Sequence, residues 1–120
     1  MSLPRTEGDA PQLTLSESRI GHRLVLAVEG EIDTASAAEL RAALTAAAES
    51  GAAEVWLDIS GVEFMDSTGI TALVDARGWL AERRFAVICP PGPVRRVIEI
   101  AGVDHALAIH ATRADAHAAP

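Results

Sequence analysis

An α/β fold is predicted from the sequence: a mixed, mostly parallel β-sheet with α-helices packed on it, in the order β-β-α-β-α-β-α-β. Three features lead there. Short apolar runs of strand length alternate with longer stretches whose apolar residues recur every three or four positions. The longer stretches open on a capping residue or a proline, and two of them stop at a glycine. Strands separated by helices are joined by right-handed crossovers and pair in parallel, so only the first two strands, linked by a few residues, form a hairpin.

Residues 12–18 (QLTLSES) alternate apolar and polar side chains, as a half-buried strand does. The connection Ile20-Gly21-His22-Arg23 leads into residues 24–28 (LVLAV), a nearly continuous apolar run suited to a covered strand. Asp33 then opens a helix, its carboxylate placed to accept the free N–H groups of the first turn. Ala37, Leu40, Leu44 and Ala47 form the apolar stripe of that helix, and Gly51 stops it. Residues 55–59 (VWLDI) read as the next strand and residues 60–65 as a turn-rich segment. A second helix starts at Asp66-Ser67-Thr68-Gly69, with Ile70, Leu73, Val74, Arg77 and Leu80 inward, Arg77 through its aliphatic stem. Gly78 within it signals close packing or an early fray. Residues 85–89 (FAVIC) form a strand broken by Pro90-Pro91-Gly92. Pro93 suits the first turn of a third helix that buries Val94, Val97, Ile98 and Ala101 and ends at Gly102. Residues 106–109 (ALAI) close the sheet.

A length of 120 residues bounds one domain with one core, here placed at residues 12–111. Residues 1–11 read as a flexible lead and residues 112–120 (TRADAHAAP) as a frayed tail with at most one helical turn. Aromatic residues are 3% of the chain, so the core is built from Ala, Val, Ile and Leu. A net charge of −7 with no Lys/Arg cluster repels a phosphate backbone, which argues against a nucleic-acid partner. No apolar run reaches the ~18 residues of a membrane span. The lead has no apolar core of a secretory signal, so no membrane partner and a cytoplasmic location are expected. Cys89 has no cysteine to pair with and reads as a small buried hydrophobe at a strand end.

Three segments stand at strand exits, along the edge where α/β sheets usually carry their sites: Gly30-Glu31-Ile32-Asp33, Phe64-Met65-Asp66-Ser67-Thr68-Gly69-Ile70, and Pro90-Pro91-Gly92-Pro93. Asp33 and Asp66–Gly69 are thus expected to be neighbours. Two hydroxyls at a helix N-terminus suit a phosphate. The same residues also suit plain N-capping by Asp66 or Ser67. Catalysis fits poorly: His22, His105, His110 and His117 lie in no nucleophile context and read as surface or strand-edge residues. No His/Cys set has zinc spacing, and Asp33 with Asp66 alone make a weak cation site.

The residues in these segments resemble a known family. Glu29-Gly30-Glu31-Ile32-Asp33 is similar to the Gly-Glu-hydrophobic-Asp signature of STAS domains, and residues 64–70 are similar to their Asp-Ser-Ser/Thr-Gly-Leu/Ile phosphorylation loop. Pro93-Val94-Arg95-Arg96-Val97, running on to Ala101-Gly102-Val103, resembles the family's third helix and its exit. The resemblance spans residues 13–111 and is to the bacterial anti-sigma factor antagonists. It implies a single STAS domain that is a binding switch and not an enzyme. The unmodified antagonist would bind an anti-sigma factor that is also a serine kinase and so free the sigma factor. The kinase, with its own Mg-ATP, would phosphorylate Ser67 and end the complex, and a phosphatase would restore binding. The antagonist itself would need no cofactor or metal. Asp33, Met65, Asp66, Thr68 and Gly69 would form the partner-binding and phosphoacceptor loop around Ser67. The alternative is a non-phosphorylated STAS scaffold in a larger assembly, such as a lipid-transport or stress-sensing complex.

Overall fold

A computed structural model describes residues 12–119 of the chain, so the lead of residues 1–11 lies outside the described residues. The elements are β1 (Leu13–Ile20), β2 (Arg23–Ile32), α1 (Ala37–Glu49), β3 (Glu54–Met65), α2 (Ser67–Trp79), β4 (Arg84–Ile88), α3 (Pro93–Ile100), β5 (Ala108–His110) and α4 (Arg113–Ala118). The sheet runs β1-β2-β3-β4-β5 in space. The β1–β2 hairpin is antiparallel and the other three pairings are parallel. This is the mixed, mostly parallel sheet expected from the order of the elements.

Alternation along the strands divides their side chains between two faces. Leu24, Leu26 and Val28 of β2, Val55 and Leu57 of β3, and Phe85 and Val87 of β4 belong to the main core with Leu40, Leu44, Leu73, Leu80 and Ile98 of the helical layer. The opposite face holds a smaller cluster, Val25, Trp56, Ala86 and Ile88, closed by Ala116 of α4. Cys89 is buried just beyond β4, as its apolar context predicts.

Several boundaries differ from the sequence reading. Residues 60–65 are strand and not turn. β2 continues to Ile32, and its register with β3 slips at two irregularities, between Ala27 and Glu29 and between Gly30 and Glu31. Beyond them Gly30 pairs with Val62, Glu31 with Phe64 and Ile32 with Met65. Ser60, Gly61 and Glu63 look like turn residues in sequence, but they supply exposed positions on a strand whose Val62 and Met65 are buried. Helix α1 begins at Ala37, with Ser36 at its N-cap, so Asp33 does not open it. In α2, Val74 is exposed, and Ala72 and Ala76 join Ile70 and Leu73 as buried positions. Gly78 has nothing within 4 Å of where a Cβ would stand, so no close packing requires it. It lies next to the helix end at Trp79. Ala101 is exposed because it follows the last turn of α3, and the closing strand is residues 108–110 instead of 106–109.

The tail expected to fray carries α4 over residues 113–118. Thr112 caps it by accepting from the Asp115 amide at 3.0 Å, and Ala116 is fully buried. Arg84 donates to the Ala116 carbonyl at 2.6 Å, and Arg113 Nε donates to Asp58 Oδ2 at 2.6 Å. Burial pushes the Asp58 carboxyl up, but the Ser60 hydroxyl and amide and the Arg113 guanidinium together bring it below the usual carboxylate range. A depressed folded-state pKa contributes stability above the ordinary value of about 3.9, and that stability is lost as pH falls through the folded value. Arg113→Ala should therefore cost about 1 kcal/mol at pH 7. The gap to wild type should close as pH falls below about 4. Denaturant titrations at both pH values check this, and a pH-independent gap would assign the effect to packing alone.

Candidate functional site

The carboxyl ends of β2 and β3 stop side by side. Ile32 and Met65 are register partners, and the Asp66 amide donates to the Ile32 carbonyl at 3.1 Å. One backbone hydrogen bond thus joins the residue before Asp33 to the residue before Ser67. The two segments expected to be neighbours are brought together. The third, residues 90–93, lines a cleft of about 320 Å³ with Ser60, Val62 and Glu63. A smaller groove sets Pro93, Val94 and Val97 against Phe64 and Met65.

Two glycines allow the close approach. Gly30 has φ +111, which a side chain rarely adopts, and a Cβ there would stand 2.1 Å from the Gln12 carbonyl oxygen. That carbonyl also accepts from the Glu31 amide at 2.9 Å, tying the start of β1 to the first segment. At Gly69, a Cβ would meet Met65 Cγ at 2.7 Å and Ile32 Cγ2 at 2.8 Å, so the first turn of α2 sits directly on the paired strand ends.

Asp33 is held by its neighbours. Its carboxylate accepts from the Gln12 side-chain amide and from the amides of Ala35 at 2.9 Å and Ser36 at 3.1 Å. The Ser36 hydroxyl donates to the Glu31 carbonyl at 2.7 Å and accepts from the Asp33 amide at 3.0 Å. These donors, the Gln12 amide first, keep the Asp33 carboxyl below its ordinary range, so it is ionised at neutral pH. Asp33 therefore caps the turn before α1 and not the helix itself.

At the start of α2 the hydroxyls differ. Asp66 is the N-cap; its Oδ1 accepts from the Thr68 amide at 2.9 Å and also from the Thr68 hydroxyl. Thr68 is thus tied into the cap. Ser67, the first residue of α2, is exposed. Its carbonyl accepts from the Thr71 hydroxyl at 2.9 Å. Ordinary capping by Asp66 and an available hydroxyl on Ser67 coexist here, so the two readings of this segment do not exclude each other.

An apolar surface borders Ser67, which the sequence reading missed. A groove of about 330 Å³ between α2 and α3 is lined by Ser67, Ile70, Thr71, Val97, Ile100 and Ala101. Ile100 is 79% exposed and Phe64 is 50% exposed. The available signal was Ile100 itself, an isoleucine two positions after Ile98 and so off the inner stripe of a short helix.

Comparisons with known proteins agree on the fold. The family model described as "Mlab, STAS domain" matches residues 8–110. The anti-sigma-F factor antagonist RsfB of Mycobacterium tuberculosis is 30% identical over 93 residues, covering 77% of this chain and 76% of that protein. The crystal structure of an anti-sigma factor antagonist from Mycobacterium paratuberculosis superposes with a TM-score of 0.84 at 30% identity, over 90% of this chain and 94% of that one. The phosphorylated form of the Bacillus cell fate determinant SpoIIAA, 21% identical with a TM-score of 0.66, covers 87% of this chain and 96% of that one and shares the fold.

The glycine contacts predict an order of stability. Gly30→Ala adds left-handed strain to a backbone clash and should cost about 3 kcal/mol or more. Gly69→Ala overpacks flexible side chains and should cost about 1–3 kcal/mol. Gly78→Ala, with open space around it, should stabilise by about 0.5–1 kcal/mol. Thermal melts of the three variants rank them, and a neutral Gly30→Ala would contradict the described approach of Gln12.

Proposed function

We propose that this chain, which belongs to the STAS domain family, is an anti-sigma factor antagonist switched by phosphorylation of Ser67. The antagonist role follows the relatives that match it at 30% identity across most of its length. In this reading the unmodified chain binds an anti-sigma factor serine kinase and frees the sigma factor. The kinase transfers phosphate to Ser67 from its own Mg-ATP, and a phosphatase removes it. The chain acts by binding, in the cytoplasm, and holds no cofactor of its own.

One observation carries the choice of residue: Thr68 is engaged by Asp66 in the helix cap, whereas Ser67 is exposed at the helix start. A phosphoserine there adds about −1.5 to −2 charges beside two carboxylates. The N-terminus of α2 offsets part of that repulsion, since a helix start favours an anion by about 0.3–1 kcal/mol. A partner seated on the apolar groove has no such compensation. It would have to cover a dianion at the rim, and a loss of about 3 kcal/mol weakens binding more than about 100-fold. Local tolerance joined to rejection at the interface makes a switch. The matched family model is named for Mlab and not for an antagonist. For that reason the scaffold reading, with Ser67 unmodified, stays as the second one.

Phosphopeptide mapping after incubation with the kinase should place the phosphate on Ser67. A group found on Thr68 with Ser67 bare would refute the assignment, and no modification by any cognate kinase would favour the scaffold. Ser67→Asp should change the melting temperature little while weakening kinase binding strongly, and Ser67→Ala should bind persistently. A loss of binding by Ser67→Asp that merely tracks a large fall in melting temperature would mean misfolding. Asp33→Asn should keep most of the turn cap while altering phosphorylation or binding; wild-type behaviour in both would leave Asp33 a structural role only. Ile100→Asp should leave stability within about 0.5 kcal/mol of wild type and reduce binding at least tenfold, by roughly the 1.4 kcal/mol that a tenfold change represents.

A further inference from the structure

Strand β1 is the outermost strand of the sheet, and among the described residues β2 is the only strand paired with it. All eight residues of Leu13–Ile20 pair with β2 in unbroken register. The strand holds no Pro and no Lys, and every position from 16 to 20 is exposed. Ile20 is 62% exposed. At the opposite edge β5 has only three residues. A regular edge with no further strand beside it among the described residues presents a row of backbone donors and acceptors to another strand.

The side chains select what that strand can be. Facing residues of an antiparallel pair point to the same side of the sheet. Glu17 and Arg19 lie opposite Leu26 and Leu24 of β2, so they share one face. Consider a second β1 related by a two-fold axis perpendicular to the sheet. Centred on Glu17 or on Arg19, the axis opposes like charges. Centred on Ser16, it sets Leu15 against Glu17 and Leu13 against Arg19. Centred on Ser18, it sets Glu17 of each copy against Arg19 of the other, twice, and covers Ile20 with Ser16 on the other face. Of the four registers centred on residues 16 to 19, that one alone pairs opposite charges.

We infer that β1 is the docking edge for a second copy of this chain, joined antiparallel about Ser18 so that two five-stranded sheets become one. This inference is independent of the proposed function. Leu13 pairs with Gly30 and Ile20 with Arg23, so residues 16–20 lie toward the sheet end away from Asp33 and Ser67. Both Ser67 loops stay uncovered in the dimer.

Sedimentation velocity on the full chain over a concentration series up to about 0.5 mM should show a reversible dimer. Glu17→Arg and Arg19→Glu each turn both cross-strand pairs into like-charge pairs and should weaken dimerisation about tenfold or more. An equimolar mixture of the two variants should dimerise again, because each supplies the charge the other lacks, and the double variant Glu17→Arg/Arg19→Glu should recover on its own. Circular dichroism on each variant verifies folding at these exposed sites. A chain that stays monomeric throughout the series overturns the inference. So does a dimer indifferent to the single reversals, or a mixture that fails to recover.

Discussion

The site depends on one constraint: β2 and β3 must remain paired to their last residues, Ile32 and Met65. That pairing, completed by the hydrogen bond from the Asp66 amide to the Ile32 carbonyl, holds two loops side by side that are about thirty residues apart in sequence. Register in a sheet is set by which residues face the core, and a one-residue slip would send Met65 outward and displace Asp66 with it. At each of the two irregularities β3 carries one extra residue relative to β2, and Ile32, Val62 and Met65 all remain buried. Gly69 then lets the first turn of α2 rest on the Ile32–Met65 pair, and this sets where Ser67 stands.

The electrostatics follow from that placement. Asp33 is fixed and ionised by the donors around it, and Asp66 is occupied in capping α2. Both carboxylates have assigned structural work, and the charge of Asp33 stands beside the start of α2 at neutral pH. A group added at Ser67 meets this field on one side and the helix N-terminus on the other. The apolar groove of Ile70, Val97 and Ile100 begins at the same residue. A change of charge at Ser67 therefore acts at the border between a polar, self-satisfied loop and a surface suited to dry contact, where the same charge is tolerated on one side and costly on the other.

How much of this was legible in the sequence can be traced residue by residue. The strands and helices were visible because their apolar residues keep period, as LVLAV in β2 and Ala37, Leu40, Leu44 and Ala47 in α1 do. The loop was visible because Asp-Ser-Thr-Gly opens a helix after a strand. The length of β3 was not legible: Ser60, Gly61 and Glu63 carry turn chemistry, and only the long-range partnership with β2 keeps them extended. The start of α1 was misplaced because Asp33 caps a turn as well as it would cap a helix, and the choice between them lies in the Gln12 and Ser36 contacts. The docking of α4 was missed because a six-residue helix has too little period to read, and it is held by Asp58 and Ala116, one of them far away in sequence. Ile100 stands visibly off the stripe of Val94 and Ile98, but its place across a groove from Ser67 needed the third dimension, as did the exposure of Phe64.

The proposed switch requires a fold that tolerates a phosphate on Ser67 and a partner that does not. The most direct measurement uses full chain carrying phosphoserine at position 67, compared with unmodified chain by amide NMR and by titration with the anti-sigma factor. Shift changes should be confined to residues 30–36 and 64–71, with all strands retained, and the affinity should be lower by about 100-fold or more. Undiminished affinity, or shift changes spread through β2, β3 and β4 that signal a refolded core, would contradict it.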